Sequence, residues 1–342
     1  MSMTYHLYAI GNALVDTEYE VSDAQLEAAG VAKRHMTLID APRRTELLKH
    51  VQTVKSHRTG GGSAGNTVVA LAQLGGRAFY SCRVADDELG DFYTKDLTAH
   101  GVATNLTHTK PPEGQTGICM VMVTPDAERS MSTFLGATAD IDETALHPHD
   151  IVKARVYYME GYLAASPTGS AAAVKGRAIA KQAGVKLATT LSDMSMINFC
   201  RPGLDAMVGD DLDFLFCNEE EAQVWCGSQD MAQITQQLAA QAKTVCLTRS
   251  AKGCLVIENG QVTEVPATRV KAIDTNGAGD MFAGAFLYAV THGHSHAQAA
   301  WLANQAAGRV VSQYGNRLSQ DVMDSLKADF ARHHAVAMLV SG

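Results

Sequence analysis

The feature that most restricts how this chain can fold is a run of small residues, Asp274–Asp280, that leads into the apolar segment Met281–Phe286. Gly277, Ala278 and Gly279 leave their backbone N–H groups uncovered by bulky side chains. The apolar segment predicts that a helix begins here, and the first N–H groups of a helix have no partner within it. Because the positive end of the helix dipole lies behind those groups, the sequence predicts an anion site built from backbone.

Asp280 stands in the first turn of that helix, beside whatever anion binds there. A carboxylate next to a phosphate is unfavourable unless it accepts a proton from a hydroxyl group that attacks the phosphorus. We therefore expect phosphoryl transfer to a hydroxyl, with Asp280 as the general base. An ordinary helix N-terminus with an acidic first turn explains the same residues and stays open at this point.

A second glycine-rich stretch, Gly60–Gly65, matches the G-x-G-x-x-G pattern of dinucleotide-binding proteins. That pattern requires a buried strand just before the glycines, and the segment HVQTVKSHRT that precedes them is too polar for a central parallel strand. In a second interpretation, Gly61 and Gly62 let a small polyol approach the backbone and Asn66 hydrogen-bonds its hydroxyls. A plain glycine turn that caps a helix is the third.

Asn218 and Glu221 follow the strand-like segment Leu212–Cys217. Polar side chains at the carboxyl end of a parallel strand lie at the edge of the sheet where ligands bind. Residues three apart share a helix face, so this pair could orient water around Mg²⁺. The alternative is an Asn N-cap followed by an acidic first turn.

Composition limits the classes of partner. The chain has 342 residues, 46% apolar and 19% charged, with a net charge of −8 at pH 7. An acidic chain without a dense basic run is not expected to bind nucleic acid. No uninterrupted apolar run reaches the ~18 residues of a membrane-spanning helix, and the N-terminus lacks the basic region of a signal peptide. Seven cysteines, none in a C-x-x-C pair, predict free thiols in the cytoplasm.

Strand-like segments alternate with helical segments of roughly 10–15 residues along most of the chain, which predicts a mostly parallel sheet covered by helices on both faces. Two regions do not follow the alternation. Residues 116–135 have the spacing of a hairpin, and residues 16–39 mix strand-like and helical pieces. We expect these two regions to form an accessory β-layer beside the α/β core.

Taken together, these pieces resemble the PfkB (ribokinase-like) carbohydrate kinases, and within them the adenosine kinase branch. Gly60–Gly75 is similar to the first signature of the family, and Asp274–Asp280 matches the second, D-T-x-G-A-G-D. Asn218–Glu221 matches the N-x-x-E motif. Gly11–Asp16 resembles the G-N-x-L-x-D opening of adenosine kinases, and Arg129-Ser130 falls where those kinases have an R-S pair.

The resemblance implies a ribokinase-like α/β fold, with a mostly parallel central sheet flanked by helices and a small β-sheet lid. We expect the core, with the ATP and catalytic sites, to comprise residues 1–12, 41–112 and 138–342. The lid over the acceptor site is expected to comprise residues 13–40 and 113–137.

The resemblance also implies roles for individual residues. Asp280 is the base, and the backbone of Gly277, Ala278 and Gly279 is the anion hole. The acceptor would be bound by a polar set and an apolar set, which are Asn12, Asp16, Gly61, Gly62 and Asn66, and Leu14, Leu38, Met131, Thr133 and Tyr162. The residues near ATP and its phosphates would be Arg129, Thr248, Gly253 and Asn218.

Two kinds of ion are implied as well. Mg²⁺ would be held by Asn218 and Glu221 through water, and a monovalent cation, K⁺, would lie near Asp274. Ser250 departs from the family pattern, because it replaces the first glycine of the T-x-G-x-x-G region around Thr248 and Gly253.

The expected activity is ATP-dependent phosphorylation of the 5′-hydroxyl of a purine nucleoside, with adenosine first. The alternative within the family is a kinase of a free sugar such as ribose or fructose. An alternative of another class is a non-catalytic nucleoside or sugar sensor on the same fold, which would need neither Asp280 nor Glu221. We expect small-molecule partners, no nucleic acid and no membrane, and a monomer or homodimer.

Overall fold

The computed structural model of this protein describes residues 4–126 and 128–340, with side chains up to residue 333. Its strands are β1 (Tyr5–Ile10), β2 (Leu14–Glu20), β3 (Met36–Leu38), β4 (Ser56–Gly61), β5 (Ala78–Ser81), β6 (Ala103–Thr104), β7 (Gly117–Val123), β8 (Arg129–Phe134), β9 (Ala154–Met159), β10 (Lys186–Thr190), β11 (Leu212–Asn218), β12 (Ala242–Thr248), β13 (Cys254–Glu258) and β14 (Gln261–Val265).

The helices are α1 (Asp23–Ala28), α2 (Ala41–Val51), α3 (Ser63–Gln73), α4 (Glu88–Ala99), α5 (Pro148–Ile151), α6 (Pro167–Gln182), α7 (Met194–Phe199), α8 (Arg201–Val208), α9 (Glu219–Cys226), α10 (Met231–Ala239), α11 (Ala278–Thr291), α12 (His296–Val310) and α13 (Gln320–Val340). None of them is both long and apolar enough to cross a membrane, over the part of the chain that the structure describes.

The larger sheet has the strand order β14-β13-β12-β11-β10-β9-β1-β5-β6. The pairs β12–β13 and β13–β14 are antiparallel, and the other described pairs are parallel. Central strand β1 shows why helices cover both faces. Leu7 and Ala9 belong to one apolar cluster, while Tyr8 and Ile10 belong to the other, and all four are fully buried. Alternate side chains of a strand point to opposite faces, so a strand that is apolar at every position needs two covered faces.

A second, smaller sheet has the strand order β3-β8-β7-β2-β4. Its outer face packs against helices α1 and α2 in one cluster with Val15, Tyr19, Met120, Leu26 and Leu47. By strand alternation, the other residues of β2, among them Leu14, Asp16 and Glu18, lie on the inner face. The inner face therefore carries the acidic residues Asp16 and Glu18 beside the apolar Leu14, while the outer face joins the main apolar cluster.

The observed architecture confirms the expected fold class, because the two irregular regions of the sequence both contribute strands to the small sheet. One boundary needs correction. Residues 41–112 were assigned whole to the core, yet Ser56–Gly61 pairs antiparallel with β2 at the edge of the small sheet. The physical reason is its polarity, since His57 and Arg58 are exposed at an edge and would be costly inside the parallel sheet.

The same pairing rules out the dinucleotide interpretation of Gly60–Gly65. A dinucleotide fold needs a buried parallel strand before the glycines. Here the preceding strand, β4, is an antiparallel edge strand of the small sheet.

Candidate active site

The anion site begins at Gly277, the residue before helix α11. Gly277 has φ of +74°, a left-handed conformation that favours glycine. A Cβ there would also lie 2.7 Å from Cβ of Asn316, so no larger side chain fits. The first regular bond of the helix runs from the N–H of Met281 to the carbonyl of Gly277 at 2.9 Å. The N–H of Ala278 makes a long hydrogen bond of 3.4 Å to the carbonyl of Thr275, so the N–H groups of Gly279 and Asp280 are the orphan donors of the helix start.

Gly279 is glycine for a different reason. It is exposed, and a Cβ at this position would meet nothing within 4 Å. Packing does not exclude a side chain here. What a side chain would do is cover the backbone N–H groups at the N-terminus of α11, where an anion is expected to bind.

Asp280 is held by two donors from helix α3. Ser63 donates its hydroxyl to Oδ1 at 2.6 Å, and Asn66 donates its amide N–H to Oδ2 at 2.9 Å. Burial raises the pKa of Asp280, while these two hydrogen bonds and the charge of Arg317 oppose that rise. A fixed carboxylate with a raised pKa, beside an anion site, is suited to accept a proton from a hydroxyl.

Asp16 projects from β2 of the small sheet toward the same centre. Asn316 donates its amide N–H to Oδ2 of Asp16 at 2.7 Å. Burial, together with the nearby charge of Asp280, raises the pKa of Asp16 to about 7, although Arg317 opposes the rise. A Cβ on Gly61 would lie 2.3 Å from Oδ1 of Asp16, so Gly61 makes room for this carboxylate.

Gly62 brings two backbone segments into contact. Its φ is +83°, and a Cβ would lie only 2.1 Å from the backbone oxygen of Asn12. Both glycines permit close approach, while the approach of a polyol that the sequence predicted stays a prediction. What they admit in this structure is protein, namely the Asp16 carboxylate and the Asn12 backbone.

Glu160, which sequence reasoning missed, is a buried carboxylate just after β9. Its Oε1 accepts from Nδ2 and from the backbone N–H of Asn12, at 2.8 and 3.2 Å, and its Oε2 accepts from the N–H of Ala64 at 2.8 Å. Burial raises its pKa to about 7 against these three donors. The available signal was an acidic residue directly after an apolar strand, at the carboxyl end where ligands bind.

The residues predicted to form an apolar acceptor pocket are only partly brought together. Thr133 and Leu38 line a cavity of about 480 Å³ together with Leu135. Leu14 and Met131 are half-buried and do not line that cavity, and Leu38 is 58% exposed.

Tyr162 lies apart from that cavity, in the turn after β9. Burial, followed by the charges of nearby carboxylates including Asp193 and Asp280, raises the pKa of its phenol. The ring therefore lies close to the reacting centre, and the structure divides the predicted apolar set between two places.

Arg129, predicted to reach the phosphates, forms ion pairs with two acidic residues. Its guanidinium lies 2.5 Å from Glu18 and 2.8 Å from Asp274. Asp274 is also bonded by the backbone N–H groups of Asn276 and Gly315, at 3.1 and 3.0 Å. With its carboxylate engaged by three donors, one of them the cationic Arg129, Asp274 would give up Arg129 before its oxygens could bind a monovalent cation.

Asn218 and Glu221 form a reciprocal cap at the start of helix α9. The N–H of Glu221 donates to Oδ1 of Asn218 at 2.8 Å, and the backbone N–H of Asn218 donates to Oε2 of Glu221 at 3.1 Å. The capping interpretation is thus realised. Burial also raises the pKa of Glu221 to about 7.

Oxygen ligands of this kind suit Mg²⁺, which keeps several waters and takes one or two protein ligands beside substrate phosphates. Among the residues that the structure describes, no three His, Cys, Asp or Glu side chains are grouped so that they could hold a metal ion. Asn218 and Glu221 therefore fit an ion bound through water, and they do not form a cage of their own.

Thr248, Ser250 and Gly253 lie where β12 ends and turns back into β13. Gly253 has φ of +91°, and a Cβ there would lie 2.2 Å from the carbonyl oxygen of Val265. Ser250 has φ of +50°. Its backbone thus adopts the left-handed conformation that a glycine at this position would adopt without strain.

Comparison with known proteins places these observations in a family. The model described as pfkB family carbohydrate kinase matches residues 28–323. Among solved structures, a probable sugar kinase protein from Rhizobium etli CFN 42 is 35% identical, covers 96% of this chain and 99% of its own, and has a TM-score of 0.86. The adenosine kinase from Sinorhizobium meliloti is 35% identical, covers 94% and 98%, and has a TM-score of 0.79. The adenosine kinase of Schizophyllum commune is 27% identical over 85% of this chain and 90% of its own length.

Proposed function

Because this chain belongs to the pfkB family of carbohydrate kinases and has their ribokinase-like α/β fold, we propose that it transfers the γ-phosphoryl group of ATP to the 5′-hydroxyl of a purine nucleoside, with adenosine as the first candidate. The position of Asp280 carries this proposal. A carboxylate held by Ser63 and Asn66 lies in the first turn of a helix whose leading N–H groups are uncovered.

In this mechanism Asp280 accepts the proton of the acceptor hydroxyl as that oxygen attacks the γ-phosphorus of ATP. The backbone N–H groups around Gly277, Ala278 and Gly279 stabilise the charge on the transferred group. Mg²⁺ bound to the phosphates would neutralise part of their charge, with Asn218 and Glu221 holding its waters.

The charges around Asp280 support an acceptor that carries no phosphate of its own. Asp16 and Glu160 both interact electrostatically with Asp280, and their carboxyl oxygens suit hydroxyl groups that donate hydrogen bonds. Of the two nearby cations, Arg129 is paired with acidic residues and Arg317 is paired with Asp96. A sugar phosphate would need an unpaired Arg or Lys at this place.

The choice of a nucleoside over a free sugar rests on the inner face of the small sheet. Leu14, Met131 and Thr133 lie on that face, and Leu38 and Leu135 line the cavity beside it. Apolar walls suit the flat faces of a base, whereas a free sugar presents mostly hydroxyl groups. We further propose that the small sheet acts as the lid over the acceptor and excludes water during transfer.

One specific observation favours the free-sugar alternative. The probable sugar kinase protein and the bacterial adenosine kinase have the same sequence identity to this chain, 35%. A panel of acceptors with ATP and Mg²⁺ separates the possibilities. Adenosine, inosine, ribose and fructose are each tested for ADP release, and each is also titrated calorimetrically.

We expect adenosine to give the highest kcat/KM and to bind at least ~10-fold more tightly than ribose. Turnover of ribose or fructose alone would establish the free-sugar alternative. Binding of an acceptor without turnover of any would establish a sensor.

A further inference from the structure

The segment 315–317, between helices α12 and α13, lies outside every motif that the sequence suggested, yet it contacts three predicted site residues. The contacts are from the N–H of Gly315 to Oδ2 of Asp274 at 3.0 Å, from Nδ2 of Asn316 to Oδ2 of Asp16 at 2.7 Å, and from Nε of Arg317 to Oδ1 of Asn66 at 3.2 Å. Three consecutive residues therefore support three different parts of the candidate site.

Arg317, the charged residue of this segment, is largely buried, with 9% of its side chain exposed. Its Nη1 lies 2.5 Å from Oδ2 of Asp96 on helix α4. A Cβ on Gly60 would lie 2.2 Å from that Asp96 oxygen and 2.8 Å from Nη2 of Arg317. The absence of a side chain at Gly60 thus leaves room for the Arg317–Asp96 ion pair. Nη2 of Arg317 has no hydrogen-bond acceptor among the described residues.

Arg317 and Asp280 fix the orientation of the Asn66 amide from opposite sides. A guanidinium only donates hydrogen bonds, so the group that faces it must be the oxygen of the amide. Nδ2 of Asn66 is then left to donate to Asp280, at 2.9 Å. Without Arg317, the carboxylate of Asp280 alone would orient the amide, and the hydrogen bond between them would be held less firmly.

We propose that Arg317 is a positioning residue for the general base, acting through the amide of Asn66 and through its own positive charge. The inference deepens the proposed function and rests on it, because it requires Asp280 to be the base. Arg317 does not touch the reacting atoms, so its loss should impair Asp280 without removing it.

Several acidic groups surround Asp280 and act on it in the sense opposite to the positive charge of Arg317. The carboxyl groups of Asp16, on β2, and of Glu160, after β9, interact electrostatically with Asp280. The phenol groups of Tyr158 and Tyr162 also interact electrostatically with Asp280. Arg317 is the cation whose charge lowers the pKa of Asp280, so removing that charge should raise the pKa and weaken the base at neutral pH.

The test is Arg317→Gln in the full-length protein, with the pH profile of kcat as the readout. We expect the acid limb to move up by about half to one pH unit and kcat at pH 7 to fall by about tenfold. The KM for ATP should change less than about twofold, because Arg317 lies on the acceptor side.

Arg317→Lys separates charge from orientation. Lysine keeps the positive charge but lacks the guanidinium fork that reaches Asp96 and Asn66 together. We expect the acid limb to stay where it is in the wild type while kcat falls. Should Arg317→Gln fail to fold, this variant decides the question, because an unchanged kcat would overturn the proposal.

Arg309→Gln is the matched control, since it breaks another Arg–Asp pair, with Asp329 on helix α13. We expect it to lower the melting temperature about as much as Arg317→Gln does and to leave the acid limb of the kcat profile in place, a contrast that excludes a general loss of stability as the cause.

A double-mutant cycle then tests the path through Asn66. If Arg317 acts through that amide, Arg317→Gln should reduce kcat much less in an Asn66→Ala background than alone. Effects that simply add, together with an unmoved acid limb, would mean that Arg317 is only structural. Failure of the proposed function would look different, since the wild type itself would then phosphorylate no acceptor.

Discussion

The acceptor side and the nucleotide side of the candidate site are built differently. On the acceptor side, Asp280 is bonded from helix α3, and Asp16 is bonded by Asn316, 300 residues away in the chain. On the nucleotide side, Asn218 is bonded to Glu221, three residues away. One side is therefore assembled by contacts between distant segments and the other by local turns.

The difference has a physical consequence. Groups fixed by long-range hydrogen bonds are ordered before a substrate arrives, so little ordering is left to do during the reaction. The cap at Asn218 is completed by residues of the same turn, so its geometry depends little on distant segments. Substitutions on the acceptor side should then change chemistry and stability together, whereas those on the nucleotide side should change mainly the need for ATP and Mg²⁺.

The largest effect is expected from Asp280→Asn, which keeps the shape of the side chain and removes the proton acceptor. Loss of a general base lowers kcat by ~10²–10⁴-fold, and the Kd of the acceptor should stay nearly the same. Single-turnover kinetics and calorimetric titration measure the two quantities. Asp321→Asn, which changes the first-turn acid of helix α13, should leave both unchanged. An Asp280→Asn enzyme with more than about a tenth of the wild-type kcat would mean that another group is the base.

The second effect concerns stability and pH at Glu160. Burial raises the pKa of this carboxyl from 4.5 to about 7 in the folded state. Between these values the folded protein binds more protons than the unfolded one, so the contribution of Glu160 to the free energy of unfolding falls as the pH rises from about 4.5 to about 7.

Glu160→Gln removes that dependence while Asp16, whose pKa is also raised, remains in both proteins. The difference in unfolding free energy between wild type and variant should change by up to about 3 kcal/mol across this range, measured by urea titration at several pH values. A difference that stays constant with pH would mean that Glu160 is ionised throughout, held so by its three N–H donors.

A third, smaller effect is expected at Glu221. Glu221→Gln retains a side chain that can complete the cap, since glutamine also serves at this position of a capping box. Loss of the charge should raise the Mg²⁺ concentration for half-maximal rate by about tenfold, with little change in the melting temperature. Glu219→Gln and Glu220→Gln are the controls, because these neighbours are more exposed than Glu221. Equal Mg²⁺ titrations for all three variants would leave the cap as the sole role of Glu221.

The features that could be predicted from the sequence are the local ones, and those that could not depend on contacts between distant segments. The helix start at Gly277–Asp280 and the cap at Asn218 were recognisable because their signals are local. The purpose of the cap was not, since a capping box and a water-mediated magnesium site use the same residue types. Glu160 and Arg317 could not be found this way, because each acquires its role only when distant segments of the chain meet.

The apolar acceptor pocket shows the same limit within the small sheet. Strand alternation correctly separates Met131 and Thr133 from Ser130 and Ser132. It does not reveal that Thr133 lines the cavity while Met131 does not, because that depends on how the strand ends against other loops. Periodicity fixes the face of a strand, and packing against neighbours fixes which part of that face a ligand can reach.

The smallest effect is expected at Ser250, and it tests whether the nucleotide side depends on backbone shape alone. A left-handed conformation costs a non-glycine residue roughly 1–2 kcal/mol, which Ser250→Gly would relieve. Glycine also gains roughly 0.4–1 kcal/mol of conformational freedom in the unfolded chain, so the net change in unfolding free energy should be a stabilisation of about 1 kcal/mol or less. Asn259→Gly is the control, at another left-handed residue, and should be stabilised less because asparagine tolerates this conformation better.

If the turn binds ATP through its backbone, the KM for ATP should be unchanged in both variants. A tenfold rise for Ser250→Gly alone would show that the serine hydroxyl binds the nucleotide, and the nucleotide side would then share the side-chain dependence of the acceptor side.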